Sequence, residues 1–319
     1  MPRILPVLLV SLFALSVSAA EKELHILAVV GTGGDGEYER VFQESAQKWR
    51  EAAAKGNAAF TLIGEGADKE KSTEKFREAI TAVEETELWI VLIGHGTFDG
   101  RSVKFNVHGP DFTDADLAGW LGAFPGDVVV INTASASGSF VQSLKGPDRI
   151  VITATKNQAE IFYTRFGKYF ADAIGGLEDA DLDNDDQVSL LESFLYASDR
   201  VANFYETEGR LATEHALIED SGDGVGSRSE WFEGTVATRT PGKDAAPDGE
   251  RSGQKVLVKN EFERRLTPEQ RTRRDTLERE VRQLRRDRES LEEAAYYEKL
   301  ETLLLELARL YREVADKGS

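Results

Sequence analysis

The sequence predicts an α/β fold, a mostly parallel sheet layered between helices, followed by a long helical C-terminal element. Three observations predict it. Short runs such as His25–Val30, Leu88–Ile93 and Val128–Ile131 are apolar at almost every position. Strands with one wet face alternate instead, so uninterrupted runs point to strands buried on both faces. Between the runs lie segments with apolar residues at helical spacing, which gives the strand–helix alternation of a doubly covered parallel sheet. Finally, the chain after Pro268 runs to Ala315 without a Gly or Pro.

The elements follow in order. Met1-Pro2-Arg3 is a short basic start, Ile4 to Val17 is largely apolar, and Ser18-Ala19-Ala20 supplies small residues before Glu21. Residues 1–20 therefore read as a signal peptide, which predicts a secreted or periplasmic protein. The apolar run is short of the ~20 residues of a spanning helix, so no membrane span is expected after its removal. The first strand, His25 to Val30, leads into the glycine-rich Gly31–Gly36 and a helix over Tyr38–Ala54 with Val41, Phe42, Ala46 and Trp49 on one face. Phe60–Ile63 is the next strand, and Ser72–Val83 a helix with Phe76, Ile80 and Val83 in one stripe. The strand Leu88–Ile93 ends in Gly94-His95-Gly96, followed by a hairpin at Val103–Val107. Thr113 is placed to cap a helix through Leu117, Trp120 and Leu121. The strand ending at Asn132, the strand Arg149–Ala154 and a helix around Phe166–Ile174 complete the pattern. The globular domain is expected over residues 21–237.

The stretch 238–255 holds Thr-Pro-Gly, Ala-Pro-Asp-Gly and Ser-Gly and reads as a linker. The tail, 256–319, begins its long helix at Thr267-Pro268-Glu269-Gln270, a capping box with Pro at the first helical position. Leu277, Val281, Leu284, Leu291 and Ala295 form one stripe; Leu300, Leu304, Leu307, Tyr311 and Val314 form another, out of phase with the first. An unbroken helix of ~48 residues would be ~72 Å long. The two stripes fit either a stuttered coiled coil or a two-helix hairpin, and self-association through this helix is the expectation.

The formal net charge is −18, and from Glu261 onward 14 basic residues nearly balance 15 acidic ones. The acidity thus belongs to the globular part, which argues against nucleic acid as a partner. The chain has no cysteine, which excludes disulfides and a lipid-modified cysteine and leaves stability to the core.

Ligand sites of parallel sheets lie at the carboxyl ends of the strands. Two ends stand out: Ile93-Gly94-His95-Gly96, and Thr133-Ala134-Ser135-Ala136-Ser137-Gly138 after the strand ending at Asn132. The pair resembles the catalytic dyad of the caspase-like and legumain-like (clan CD) cysteine peptidase superfamily, in which a His-Gly closes one strand and Asp-Ala-Cys-x-Ser-Gly the next. The glycine-rich loop before Tyr38, the segment Phe166–Phe170, and the later Val188–Glu192 and Ala212–Leu217 extend the resemblance over roughly residues 24–237, toward a bacterial secreted branch. It implies a caspase-like three-layer fold, His95 as the assisting imidazole and Gly96 beside the oxyanion. The nucleophile position holds Ser135, and Thr133 replaces the usual Asp. Where legumains place Asn-Tyr-Arg, this chain has Glu37-Tyr38-Glu39-Arg40, so preference for asparagine is not carried over.

A thiol near pKa 8.5 supplies thiolate at neutral pH, whereas a serine hydroxyl needs an aligned base. The first expectation is therefore an inactive peptidase homologue that binds or scaffolds a protein or peptide ligand. The alternative is a hydrolase that uses His95 and Ser135.

A second motif lies at residues 181–192. Asp181, Asp183 and Asp185 occupy positions 1, 3 and 5 of an EF-hand loop, Gln187 offers a backbone carbonyl at 7, and Glu192 stands at 12. Asp186 replaces the glycine of position 6, where positive φ is required and Asp tolerates it better than most residues. The expected cofactor is a structural Ca²⁺. The acidic stretch Glu219–Gly224 lacks this spacing and reads as a turn.

Overall fold

Each buried strand points alternate residues into two different cores, and this places the helices on both faces. The computed structural model describes residues 23–84, 87–242 and 245–316; the expected signal peptide lies outside them. The chain runs through β1 (Leu24–Val30), α1 (Gly36–Lys55), β2 (Ala59–Ile63), α2 (Ser72–Ala82) and β3 (Glu87–Ile93). Then come β4 (Gly96–Phe98), β5 (Val103–Phe105), β6 (Phe112–Thr113), α3 (Asp114–Leu121), β7 (Asp127–Asn132), α4 (Ser139–Ser143) and β8 (Arg149–Thr153). After these follow α5 (Phe166–Ala173), α6 (Leu190–Thr207), β9 (Leu217–Glu219), β10 (Phe232–Glu233) and β11 (Val236–Ala237). The six-stranded sheet has the order β2-β1-β3-β7-β8-β9, and every pairing in it is parallel except β8 with β9.

Ile26, Ala28, Trp89, Val91, Val129 and Ile131 face one core with Trp49 of α1, Phe170 of α5 and Phe194 of α6. Their neighbours Leu27, Val29, Leu88, Ile90, Leu92 and Val130 face the other, with Phe76 of α2, Leu117 of α3 and Phe140 of α4. The period of two along each strand therefore builds a three-layer α/β unit. The expected hairpin after His95 is a small antiparallel sheet, β4-β5-β6. Its last strand leads into α3 through a capping box: Thr113 Oγ1 accepts from Asp116 N, and Asp116 accepts from Thr113 N.

The stretch 238–255 corrects the expectation of a linker. Its described part is docked, with Asp248 1% and Ser252 0% exposed. Asp220 Oδ1 accepts from Gly249 N at 3.0 Å, and its Oδ2 accepts from Arg251 N, Ser252 N and Ser252 Oγ at 2.7–3.0 Å. Asp248 returns the contact by accepting from Asp220 N and Ser227 Oγ. Turn-forming composition marked irregular backbone correctly, but only long-range carboxylate contacts decided that the backbone is held.

The tail is a hairpin. It comprises α7 (Glu261–Arg265), α8 (Pro268–Arg286) and α9 (Glu293–Asp316), with the chain reversing over Asp287–Glu292. Thr267 and Gln270 form the expected capping box. Leu277 and Val281 of α8 pack on Leu300, Leu303 and Leu307 of α9, and Leu310 and Val314 pack on Leu266 and Phe262. The expected second stripe is corrected at Leu304 and Tyr311, which are 44% and 37% exposed. They give way to Leu303 and Leu310 because α9 turns those residues toward the other helices. The hairpin is tied to the sheet. Arg271 pairs with Glu23, just before β1, and Gln254 Nε2 donates to the Asp275 carbonyl, while within the tail Arg274 of α8 pairs with the buried Glu263 of α7. No helix among the described residues is long and apolar enough to cross a membrane.

Candidate functional site

The sheet brings the two motifs of the sequence to one edge. β3 and β7 are neighbours with Leu92 opposite Asn132, so the chain leaves the sheet at His95-Gly96 and at Ser135 side by side. The close approach needs glycine: a Cβ on Gly96 would meet the Ser135 carbonyl oxygen at 2.2 Å. Ser135 is 3% exposed. Its Oγ donates to the Gly96 carbonyl at 2.9 Å and accepts from Gly96 N at 3.2 Å. Among the described residues no hydrogen bond joins it to His95. The hydroxyl proton is committed to the Gly96 carbonyl, and the Gly96 N–H is committed to the hydroxyl.

The rest of the turn is pinned as firmly. Thr133 Oγ1 donates to the Leu92 carbonyl, Thr164 Oγ1 to the Thr133 carbonyl, and Ala136 N to the Glu160 carbonyl. Ser137 Oγ and Thr155 Oγ1 lie 3.1 Å apart. Ala136 takes φ 55°, a left-handed conformation that costs a residue with a Cβ about 1–2 kcal/mol and is held by these contacts.

His95 sits in an aromatic niche. Ring centroids of Tyr38, Phe42 and Tyr163 lie 5.0, 5.1 and 6.1 Å from its own. Burial pushes the imidazole below its usual pKa, against the opposing pull of the Gly33 backbone and Asp35; the niche favours the neutral ring. Tyr38 is set there by the start of α1, where Asp35 accepts from Glu37 N and Tyr38 N.

Tyr163 and its surroundings were missed by sequence reasoning. They lie on the connection from β8 to α5, which carries no motif. Glu214 holds this connection from below. Its carboxylate accepts from Arg165 N at 2.8 Å, Phe166 N at 3.1 Å and Tyr205 Oη at 3.2 Å, and burial pushes its pKa up to about 7. Arg165 lays its guanidinium 3.9 Å from the centroid of Phe204. Glu160 accepts from Lys156 N and His215 N and contacts His215 Nδ1. Ile161 and Phe162, on the same connection, are 57% and 63% exposed. The sequence signal for this wall is faint: Thr213-Glu214-His215 enters only within the segment Ala212–Leu217 of the resemblance.

The acidic loop lies at the other end of the sheet. Leu190 N donates to the Lys255 carbonyl, and Lys255 Nζ bridges Asp127 and Glu87 at the starts of β7 and β3. Carboxylate oxygens of Asp181, Asp183 and Asp185 lie within 4.8 Å of one another. Asn184 and Asp186 adopt φ 59° and 64°, so the residue at position 6 takes the conformation for which glycine is usual. Burial, together with Glu192, Asp185 and Asp181, raises Asp183 to about 6. Glu192 is buried; its Oε1 accepts from Leu182 N and its Oε2 from Ser189 N and Oγ. Gln187 donates to Asp185 and accepts from Asn260 N, which links the loop to the tail.

No family model matches the chain, and no curated protein sequence matches it. Among solved structures it is similar to the Drosophila initiator caspase Dronc, with 11% identity and a TM-score of 0.40, over 62% of this chain and 78% of that one.

Proposed function

We propose that the chain is an exported peptidase-like scaffold without turnover, which binds a protein or peptide ligand at the carboxyl edge of its sheet. One observation carries this reading: the Ser135 hydroxyl exchanges both of its hydrogen bonds with Gly96. A serine nucleophile needs a base to take its proton, and here the proton has a carbonyl partner while His95 stands among aromatic rings. The exposed Ile161 and Phe162 beside the Tyr163–His95 niche favour a ligand with apolar side chains. The resemblance to caspase-like and legumain-like peptidases and the signal-like residues 1–20 support the fold family and the export.

The test is hydrolysis of a mixed peptide library by wild type and Ser135→Ala. Both are expected to stay at the buffer rate. Cleavage by wild type that disappears in Ser135→Ala would overturn the proposal in favour of a His95–Ser135 hydrolase.

The same proposal assigns a structural Ca²⁺ to the loop 181–192. The carboxylates of Asp181, Asp183 and Asp185, the Gln187 carbonyl and the Glu192 carboxylate would hold it, and the spacing and positive φ of Asp186 support this. A ligand at a hundredfold excess over its Kd stabilises by about 2.7 kcal/mol, so Ca²⁺ is expected to raise the melting midpoint by about 5 °C over chelator. Asp181→Ala should abolish that difference. Equal midpoints for wild type with and without Ca²⁺ would remove the metal from the proposal.

A further inference from the structure

We propose that α9 is the contact surface of an antiparallel homodimer, with the two-fold axis at Leu305. The hairpin with α8 uses only one side of α9, where Leu307, Leu310 and Val314 are buried. The side facing solvent carries large apolar residues among its charges. Tyr297, Leu304 and Leu305 are 48%, 44% and 49% exposed, whereas Tyr311 turns back onto the hairpin, its hydroxyl donating to Glu278 and its ring 5.4 Å from that of Phe262.

The charges on this side select the partner. Glu306 pairs with Arg273 of α8, whereas Glu298, Glu301, Arg309 and Arg312 enter no ion pair among the described residues. Of these four, the acids precede Leu305 and the bases follow it, while on the same helix Lys299 precedes it and Glu306, Glu313 and Asp316 follow it. A second copy of α9 running antiparallel, with Leu305 facing itself, sets Glu301 opposite Arg309 of the partner subunit and Glu298 opposite Arg312 of the partner subunit. Two-fold symmetry makes each pair twice. A parallel copy would set acid on acid and base on base, which is unfavourable. The near balance of charge in the tail, 14 basic against 15 acidic residues from Glu261 onward, removes the repulsion that the acidic globular part would otherwise impose. A second copy is thus favoured over an unrelated protein, because the surface is complementary to itself.

The full chain is expected to have twice its monomer mass by light scattering at tens of micromolar. Glu301→Arg should weaken association about tenfold, and adding Arg309→Glu to it should restore the wild-type affinity, a rescue that a misfolded variant would not give. The chain has no cysteine, so single thiols report the geometry. Leu305→Cys should cross-link on oxidation. Tyr297→Cys should not, because its two copies would stand ~24 Å apart along antiparallel axes. A wild-type monomer at that concentration, failure of the double variant to regain affinity, or cross-linking at position 297 would each overturn the proposal.

Discussion

Asp220→Ala is expected to lower the unfolding free energy by about 4 kcal/mol, and the melting midpoint by about 10 °C. Asp220 is 1% exposed and accepts four hydrogen bonds from Gly249, Arg251 and Ser252. Truncation would take the acceptor from three backbone N–H groups, and each buried group left unpaired costs about 1–3 kcal/mol. Relief of repulsion with Asp248, whose pKa is raised to about 7 chiefly by burial and then by Asp220, offsets part of this and keeps the figure below the simple sum. Asp220→Asn should lose less, since Oδ1 can still accept from Gly249. The check is urea unfolding of the three proteins at pH 7. A loss under 1 kcal/mol for Asp220→Ala would mean that the stretch after Thr238 is only loosely held, as its Pro–Gly composition suggests.

Folding stability is expected to fall as pH rises from about 4.5 to about 7, through Glu214. Its pKa is raised from the ordinary 4.5 to about 7 by burial, which outweighs the N–H and hydroxyl groups that favour the charged form. The folded state therefore holds a proton that the unfolded chain releases. The stabilising contribution is complete below pH 4.5 and is lost as pH rises through about 7. The difference between the two values corresponds to about 3 kcal/mol. Glu214→Gln keeps an oxygen for Arg165 N and Phe166 N but cannot titrate. Between pH 4.5 and 8 the wild type should lose about 3 kcal/mol more than the variant. Parallel stability profiles for the two proteins would sink this assignment.

Much of the fold was legible in single residues. Uninterrupted apolar runs at Leu88–Ile93 and Val128–Ile131 mark strands covered on both faces, since no one-sided strand can bury such a run. Thr113 and Thr267 announced their helices because a cap is a local bond between residues three apart. The strand-end pair His95 and Ser135 was legible as well, because parallel neighbours carry their ends to one edge. What Ser135 does there was not. Whether a hydroxyl meets an imidazole or a backbone amide depends on how chain segments about 40 residues apart pack against each other, and no periodicity records that. The connection Glu160–Arg165 and its support by Glu214 were invisible for the same reason: their contacts span about 50 residues.

The sequence by itself determined the three-layer α/β pattern, the strand ends that carry His95 and Ser135, the spacing of the acidic loop and two out-of-phase stripes in the tail. Those features are set by local propensity and by periods of 2 and 3.6 residues, which belong to the chain before it folds. The tertiary structure decided three things. The tail turns back at Asp287 into a hairpin, and packing rather than the heptad count selects Leu303 and Leu310 over Leu304 and Tyr311 for the buried face of α9. The expected linker is clamped, because Asp220 and Asp248 are buried and must find donors. The Ser135 hydroxyl is bound to Gly96, because at a close-packed strand end the nearest donor and acceptor are those of the backbone.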